Sequence, residues 1–144
     1  SIPKPTIVVA NGLDTSEAQT GRYLGASLRE MANDGDTVLL LYDSVRSGPP
    51  PVLYVGSRLL DGLYQGLDGK ELKLIGAGTI GDFQMQESYV LAGQRCLKHA
   101  AVAVVMPSVF QSHTTIMHGC MPVSSFLEIT KIDGAVFQGL GDFR

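Results

Sequence analysis

Two short segments that are apolar at almost every position restrict the fold of this chain more than anything else in its sequence. They are residues 37–42 (TVLLLY) and 100–107 (AAVAVVMP). A run without polar alternation is typical of a strand that is covered on both faces. Both runs are far shorter than the roughly 18–20 residues that a membrane-spanning helix needs. They therefore predict buried strands of a sheet and no membrane segment.

The residues between the first two strands predict an amphipathic helix. Asp14 followed by Glu17 has the spacing of a capping box, in which two side chains satisfy free backbone amides at a helix start. Gly21 and Gly25 fall on the same face as the apolar positions, so we expect them to let the helix approach a sheet closely. The helix is expected to end near residues 33–35 (NDG).

The other elements follow from short local patterns. A second amphipathic helix is predicted over residues 57–67, ended by Asp68-Gly69, and the proline-rich residues 47–51 predict a loop. Asp133-Gly134 lies between two apolar stretches and predicts a two-residue hairpin turn. Residues 92–100 fit either a helix or an extended connection. Strands are predicted at residues 6–10, 37–42, 72–75, 88–92, 101–106, 113–118 and 125–132.

This order of elements predicts an α/β (α+β) fold. A βαβαβ start followed by antiparallel strands implies a mixed β-sheet with helices packed on it, and the 144 residues fit a single domain, 1–144. The formal net charge is -3 and the Lys and Arg residues are scattered singly, which argues against nucleic acid or membrane partners. Two cysteines, Cys96 and Cys120, make no disulfide framework, so a reducing, cytoplasmic location is expected.

A glycine motif, Gly76-x-Gly78-x-x-Gly81, matches the dinucleotide-binding fingerprint letter for letter. Its context argues against nucleotide binding, because the fingerprint belongs after the first strand of a βαβ unit and this motif follows two strand–helix pairs. An acidic residue is also needed about 20 positions later for the ribose, yet no Asp or Glu occurs between Glu87 and Glu128. We interpret the motif as a glycine-rich turn that shapes a pocket or a tight bend.

His118 and Cys120 lie two residues apart, so an extended backbone would point both side chains to one face. A nucleophilic thiolate or a pair of metal ligands is one interpretation. A pair of pocket-lining side chains is the other, and we favour it because no third partner stands at a recognised spacing. His99, His113 and Cys96 show no metal-site spacing either. The sequence therefore gives no reason to assign catalytic residues, a metal or a cofactor.

Three stretches together resemble the N-terminal region of the FIST family (F-box and intracellular signal transduction proteins). They are residues 6–42, the small-residue segment 74–81 after a strand, and residues 117–134 with their Gly, Pro, apolar strand and hairpin. The resemblance implies a module that senses small ligands such as amino acids, alongside signalling output domains or an F-box. The segment 139–144 departs from the family pattern, and these 144 residues do not include the second half that the resemblance leads us to expect after them.

We therefore expect a non-catalytic intracellular sensory domain that binds a small, amino acid-like ligand. Its expected partners are that ligand and a C-terminal FIST half or a signalling output domain. A protein–protein interaction module and a cysteine-dependent enzyme are the alternatives. Small residues and polar contacts point to a pocket formed by two groups: the ligand-binding residues are predicted to be Gly76, Gly78, Thr79, Gly81, His118, Gly119, Cys120 and Pro122.

Overall fold

The computed structural model describes residues 3–81, 83–117, 119–133 and 136–142, which form two units that meet in sequence between His113 and Thr114. The first unit holds two helices, α1 (Glu17–Met31) and α2 (Gly56–Leu67), and a short 3-10 helix, Ser108–Phe110. The strands are β1 (Thr6–Asn11), β2 (Thr37–Asp43), β3 (Val45–Ser47), β4 (Val52–Leu53), β5 (Lys73–Thr79), β6 (Val90–Ala92), β7 (Arg95–Leu97), β8 (Ala100–Met106), β9 (Leu127–Asp133) and β10 (Val136–Asp142).

A four-stranded sheet in the order β1-β8-β2-β5 forms the centre of the first unit. Strand β8 is antiparallel to both β1 and β2, whereas β2 and β5 are parallel. The two apolar runs thus become the two inner strands, where each backbone is paired on both sides. The prediction of a mixed sheet with packed helices is confirmed.

The ends of the helices follow from local chemistry, although one predicted cap is wrong. Ser16 caps α1, since its side-chain oxygen accepts a hydrogen bond from the Gln19 amide at 3.2 Å. Asp14 does not pair with Glu17 as a capping box; Glu17 Oε1 accepts from the Val55 amide at 3.3 Å instead. Asp68 ends α2 in a left-handed conformation, as the sequence predicted.

The glycines of α1 contact a helix, and the prediction that they face the sheet is wrong. An added Cβ at Gly21 or Gly25 would lie 2.0 or 2.1 Å from a backbone oxygen of α2. The contact is reciprocal, because a Cβ at Gly62 or Gly66 of α2 would lie 2.0 or 2.2 Å from a backbone oxygen of α1. Glycine at these four positions lets the two helices pack backbone against backbone.

Both faces of the sheet contribute to the core of the first unit. One face packs under the two helices, with Leu24, Leu28 and Leu63 fully buried. On the other face, the β6–β7 hairpin covers part of the sheet through Val90 and Ala92. Residues 92–100 therefore form a hairpin strand and a connection, and the alternative interpretation as a helix is wrong.

The second unit contains an antiparallel hairpin of β9 and β10, with an irregularity in register between Phe137 and Leu140. The two strands confirm the predicted pairing, while Gly134 of the predicted turn lies outside the described residues. The predicted strand at residues 113–118 is wrong over its described part, since residues 113–117 form neither helix nor strand.

Candidate functional site

The carboxyl ends of three strands meet at one edge of the central sheet. Strands β1, β2 and β5 run in the same direction and end at Asn11, Asp43 and Thr79. Strand β8 runs the opposite way, so His99, which precedes it, lies at the same edge. Open α/β sheets bind their ligands outside the carboxyl ends of the strands. This carboxyl edge is therefore a candidate ligand-binding site.

A buried carboxylate organises the carboxyl edge. The side chain of Asp43 is 1% exposed, and its Oδ1 accepts hydrogen bonds from Ser88 Oγ and, at 3.3 Å, from the Val45 amide. Its Oδ2 accepts from the His99 amide at 2.5 Å. Ser88 Oγ in turn accepts from the Val45 amide at 2.9 Å. Because a buried charge is costly without such donors, Asp43 ties β2, β3 and the start of β8 together.

His99 is held in an unusual backbone conformation by this network. Its φ is 53°, in the left-handed region that few side chains adopt. Its carbonyl accepts from the amides of Gly12 at 3.0 Å and Leu13 at 2.9 Å. Its ring Nδ1 lies 2.6 Å from the Tyr54 hydroxyl and 3.9 Å from Asp43 Oδ2. The imidazole is thus fixed from one side, while the residue remains partly exposed.

Tyr54 lies behind His99 and keeps its proton. The residue is only 4% exposed. Burial, reinforced by the negative charges of Asp14 and Asp43, raises the pKa of Tyr54 to about 12. The hydroxyl is therefore a protonated hydrogen-bonding group at neutral pH, and its partner is the His99 ring.

Next to this network lies a polar cavity of about 260 Å³, here named the polar basin. Two of its lining residues form an ion pair, with Lys98 Nζ 2.8 Å from Glu87 Oε1. The Tyr89 hydroxyl donates to Glu87 Oε2 at 2.9 Å. The hydrogen bond from Lys98 lowers the pKa of Glu87, so that carboxylate stays ionised. The basin is lined by Val45, Arg46, Ser47, Gly48, Gln86, Glu87, Ser88, Lys98 and His99.

A second cavity of about 360 Å³, here named the apolar groove, lies between α2 and β5. The Tyr42 ring passes between two glycines: a Cβ added at Gly56 would lie 2.6 Å from its hydroxyl, and one at Gly78 would lie 3.1 Å from its Cζ. Burial raises the pKa of the Tyr42 hydroxyl. The groove is lined by Leu40, Tyr42, Gly56, Leu59, Leu60, Tyr64, Leu74, Ile75, Gly76, Ala77 and Gly78.

The predicted glycine turn is a strand. Gly76 and Gly78 belong to β5 and pair with Leu40 and Tyr42 of β2, so their interpretation as turn residues is wrong, although both line a cavity. No helix follows β5 in the described residues before residue 108. The glycines therefore lack the helix N-terminus that a pyrophosphate needs. The sequence matches the dinucleotide fingerprint, but the structure around it does not.

The predicted ligand-binding residues fall in both units. Thr79 accepts from Ser44 Oγ through its carbonyl and donates from Oγ1 to the Tyr42 carbonyl at 3.2 Å. Gly81 donates from its amide to the Glu87 carbonyl at 3.0 Å, beside the polar basin. Three other predicted residues, Gly119, Cys120 and Pro122, belong to the second unit. All three are exposed and lie in a segment that forms neither helix nor strand. His118 lies outside the described residues.

Sequence reasoning included Thr79 of the carboxyl edge but missed Asp43, Ser88 and His99. Ser88 lies 45 residues after Asp43 along the chain, and His99 lies 56 residues after it. No local spacing therefore connects the three residues. One signal was available: Asp43 directly follows a buried apolar strand, where a polar residue marks the edge at which ligands bind.

Two further findings limit the chemistry of the described residues. Among them, no group of three or more His, Cys, Asp or Glu side chains could hold a metal ion. None of the helices that the structure describes is long and apolar enough to cross a membrane.

Comparison with known proteins identifies a family. A family model described as the FIST N domain matches residues 4–140. Neither the curated proteins nor the solved structures contain a match.

Proposed function

The chain belongs to the FIST family, which is associated with signal transduction and sensing, and from that premise we propose that it is a non-catalytic intracellular sensory domain for a small ligand. The observation that carries the proposal is the apolar groove, because two glycines that the sequence singled out as pocket formers, Gly76 and Gly78, line it. A reducing, cytoplasmic setting fits a chain with only two cysteines.

The shape of the groove supports a small ligand with an apolar body and a few polar groups. Its volume of about 360 Å³ is at the lower end of the range for small-molecule pockets. Leu59 and Leu60 of α2 supply apolar walls, and the hydroxyls of Tyr42 and Tyr64 supply polar contacts. In the described part of the chain, β5 pairs with β2 alone, so its outer backbone edge offers further hydrogen bonds. An amino acid with an apolar side chain has this combination.

A pair of matched tyrosine variants tests the groove. Tyr64 of α2 is 59% exposed and lines the groove, whereas Tyr23 of α1 is 62% exposed and does not. The wild-type protein is screened by thermal shift against amino acids, and a ligand at 100 times its Kd raises the unfolding free energy by about 2.7 kcal/mol. The proposal expects Tyr64→Ala to abolish this shift and Tyr23→Ala to retain it; equal shifts in both variants would place the ligand elsewhere.

The remaining predicted ligand contacts are separate predictions. Thr79 and Gly81 follow the groove along the chain, and Gly119, Cys120 and Pro122 belong to the second unit. Replacing Cys120 with Ser tests the second set, because the substitution removes the thiol and leaves the size of the side chain nearly unchanged. An unchanged ligand affinity in Cys120→Ser would remove Cys120 from the site.

A second candidate function, a protein–protein interaction module, is favoured by the β9–β10 hairpin. An isolated two-stranded hairpin is at best marginally stable in water. The described apolar side chains of β9 and β10 are nevertheless 48–59% exposed: Leu127, Ile129, Ile132, Phe137 and Leu140. A C-terminal FIST half or a signalling output domain is the proposed partner. A complex with an added C-terminal FIST half in sedimentation, lost in Ile129→Lys, together with no thermal shift by any small ligand, would favour this function over sensing.

A further inference from the structure

The polar basin contains two donors that the protein itself does not use. Lys98 and Glu87 neutralise each other across a 2.8 Å ion pair, and Asp43 is satisfied by its own donors. Arg46, by contrast, makes no ion pair with any residue that the structure describes. Its Nη2 reaches only the Asp14 carbonyl, at 3.3 Å. Arg46 lines the basin, and within the described residues most of the hydrogen-bonding capacity of its guanidinium is unused.

The second unused donor is on the ring of His99. Nδ1 faces the buried Tyr54 hydroxyl at 2.6 Å, so within the described residues Nε2 is the ring nitrogen without a hydrogen-bond partner. When the Tyr54 hydroxyl donates to Nδ1, the ring proton lies on Nε2. In the described part of the chain nothing accepts that proton. In this arrangement Tyr54 is a positioning residue, which holds His99 with an Nε2–H donor at the wall of the basin.

We propose that the polar basin is a second ligand site, which binds a small molecule through an oxyanion held by the Arg46 guanidinium and His99 Nε2–H. A planar guanidinium matches a carboxylate or a phosphate with two parallel hydrogen bonds. The volume of about 260 Å³ restricts the ligand to a small metabolite. The site lies at the carboxyl edge of the sheet, where open α/β folds bind ligands. It is separate from the apolar groove, since the two cavities share no lining residue.

The experiment is an NMR titration of the full 144-residue chain with acetate, pyruvate and inorganic phosphate at constant ionic strength. The proposal expects saturable shifts of the backbone amides of residues 46–48 and 98–99. Arg46→Gln should weaken binding by at least about tenfold, because a charge-assisted pair is lost. Arg58→Gln, which removes an exposed arginine of α2 outside the basin, should bind like the wild type. Saturation by acetate and pyruvate alone identifies a carboxylate site, and saturation by phosphate alone identifies a phosphate site.

A second measurement tests the role of Tyr54 without any ligand. Long-range ¹H–¹⁵N correlation spectra report which ring nitrogen of His99 carries the proton. The proposal expects the Nε2–H tautomer in the wild type and a mixture of tautomers in Tyr54→Phe. An Nδ1–H tautomer in the wild type, no saturable shift with any of the three anions, or equal affinity in Arg46→Gln and Arg58→Gln would each overturn the proposal. The result at the polar basin does not depend on the result at the apolar groove, because Tyr64→Ala changes a residue that lines the groove and not the basin.

Discussion

Replacing Gly62 by alanine should destabilise the first unit by forcing the two helices apart. A Cβ at this position would lie 2.0 Å from the Ala18 carbonyl oxygen of α1, whereas an ordinary contact begins at 3.4 Å. The oxygen would have to retreat by about 1.4 Å, the difference between these two distances. It belongs to a helix backbone, so no side-chain rotation can relieve the contact. The whole of α1 must move, and its buried leucines must move with it.

The expected magnitude follows from two opposing terms. Overpacking a well-packed interface typically costs about 1–3 kcal/mol, and the upper end applies here because the clash involves backbone on one side. Alanine regains about 1 kcal/mol through its higher helix propensity. The net loss in unfolding free energy is therefore about 2 kcal/mol. For a domain of this size that loss corresponds to a fall in Tm of roughly 4–10 °C.

Urea denaturation followed by circular dichroism measures this loss, with Gly48→Ala as the control. A Cβ at Gly48 meets its nearest atoms at 3.4 Å, so that variant should keep wild-type stability within about 0.5 kcal/mol. The double variant Gly21→Ala/Gly62→Ala should lose less than the sum of the single variants, since one helix displacement relieves both contacts. A Gly62→Ala protein as stable as the wild type, or additive losses in the double variant, would refute the backbone-to-backbone packing.

Three other predictions concern the carboxyl edge and the cysteines. Asp43→Ala leaves buried donors without an acceptor, so urea denaturation should show a loss of about 3 kcal/mol or more, and a loss under 1 kcal/mol would contradict the network. Because the pKa of Tyr54 is raised to about 12 in the folded protein, its contribution is complete below about pH 10 and disappears as the pH rises through 12. Alkaline denaturation should therefore show this loss in the wild type and a weaker dependence on pH in Tyr54→Phe. If the domain is non-catalytic, Cys120 should react with a thiol reagent no faster than Cys96, which is also exposed; labelling followed by mass spectrometry of peptides would reveal a faster, enzyme-like Cys120.

Local patterns were sufficient to predict most helices and strands of the first unit. The apolar run at residues 37–42 and the Asp68-Gly69 helix end depend on burial and on backbone conformation within a few residues. Such signals are present in the sequence itself. The cap of α1 shows the limit of this reasoning, because Asp14, Thr15 and Ser16 are all good capping residues and only the geometry of the folded chain selects Ser16.

Features that depend on distant contacts could not be predicted. Gly76 and Gly78 have the local preference of a turn, yet the neighbouring strand β2 and the Tyr42 ring hold them extended. Gly21 and Gly25 were correctly expected to permit a close approach, but a helical face does not say whether its neighbour is a sheet or another helix. The contact between Asp43 and His99 likewise requires the strand order, which the order of elements along the chain does not determine.

The position of β8 between β1 and β2 has a consequence for synthesis of the chain on the ribosome. Residues up to 99 contain β2, β5 and both helices, but within the described residues β1 pairs with β8 alone, so it has no neighbouring strand until Ala100–Met106 has left the exit tunnel. During that interval the inward edges of β1 and β2 expose backbone groups that can pair with other nascent chains. A stall or truncation before Ala100 would therefore leave a product that cannot complete its sheet, and such a product would be a target for chaperones and proteases rather than a shortened folded domain.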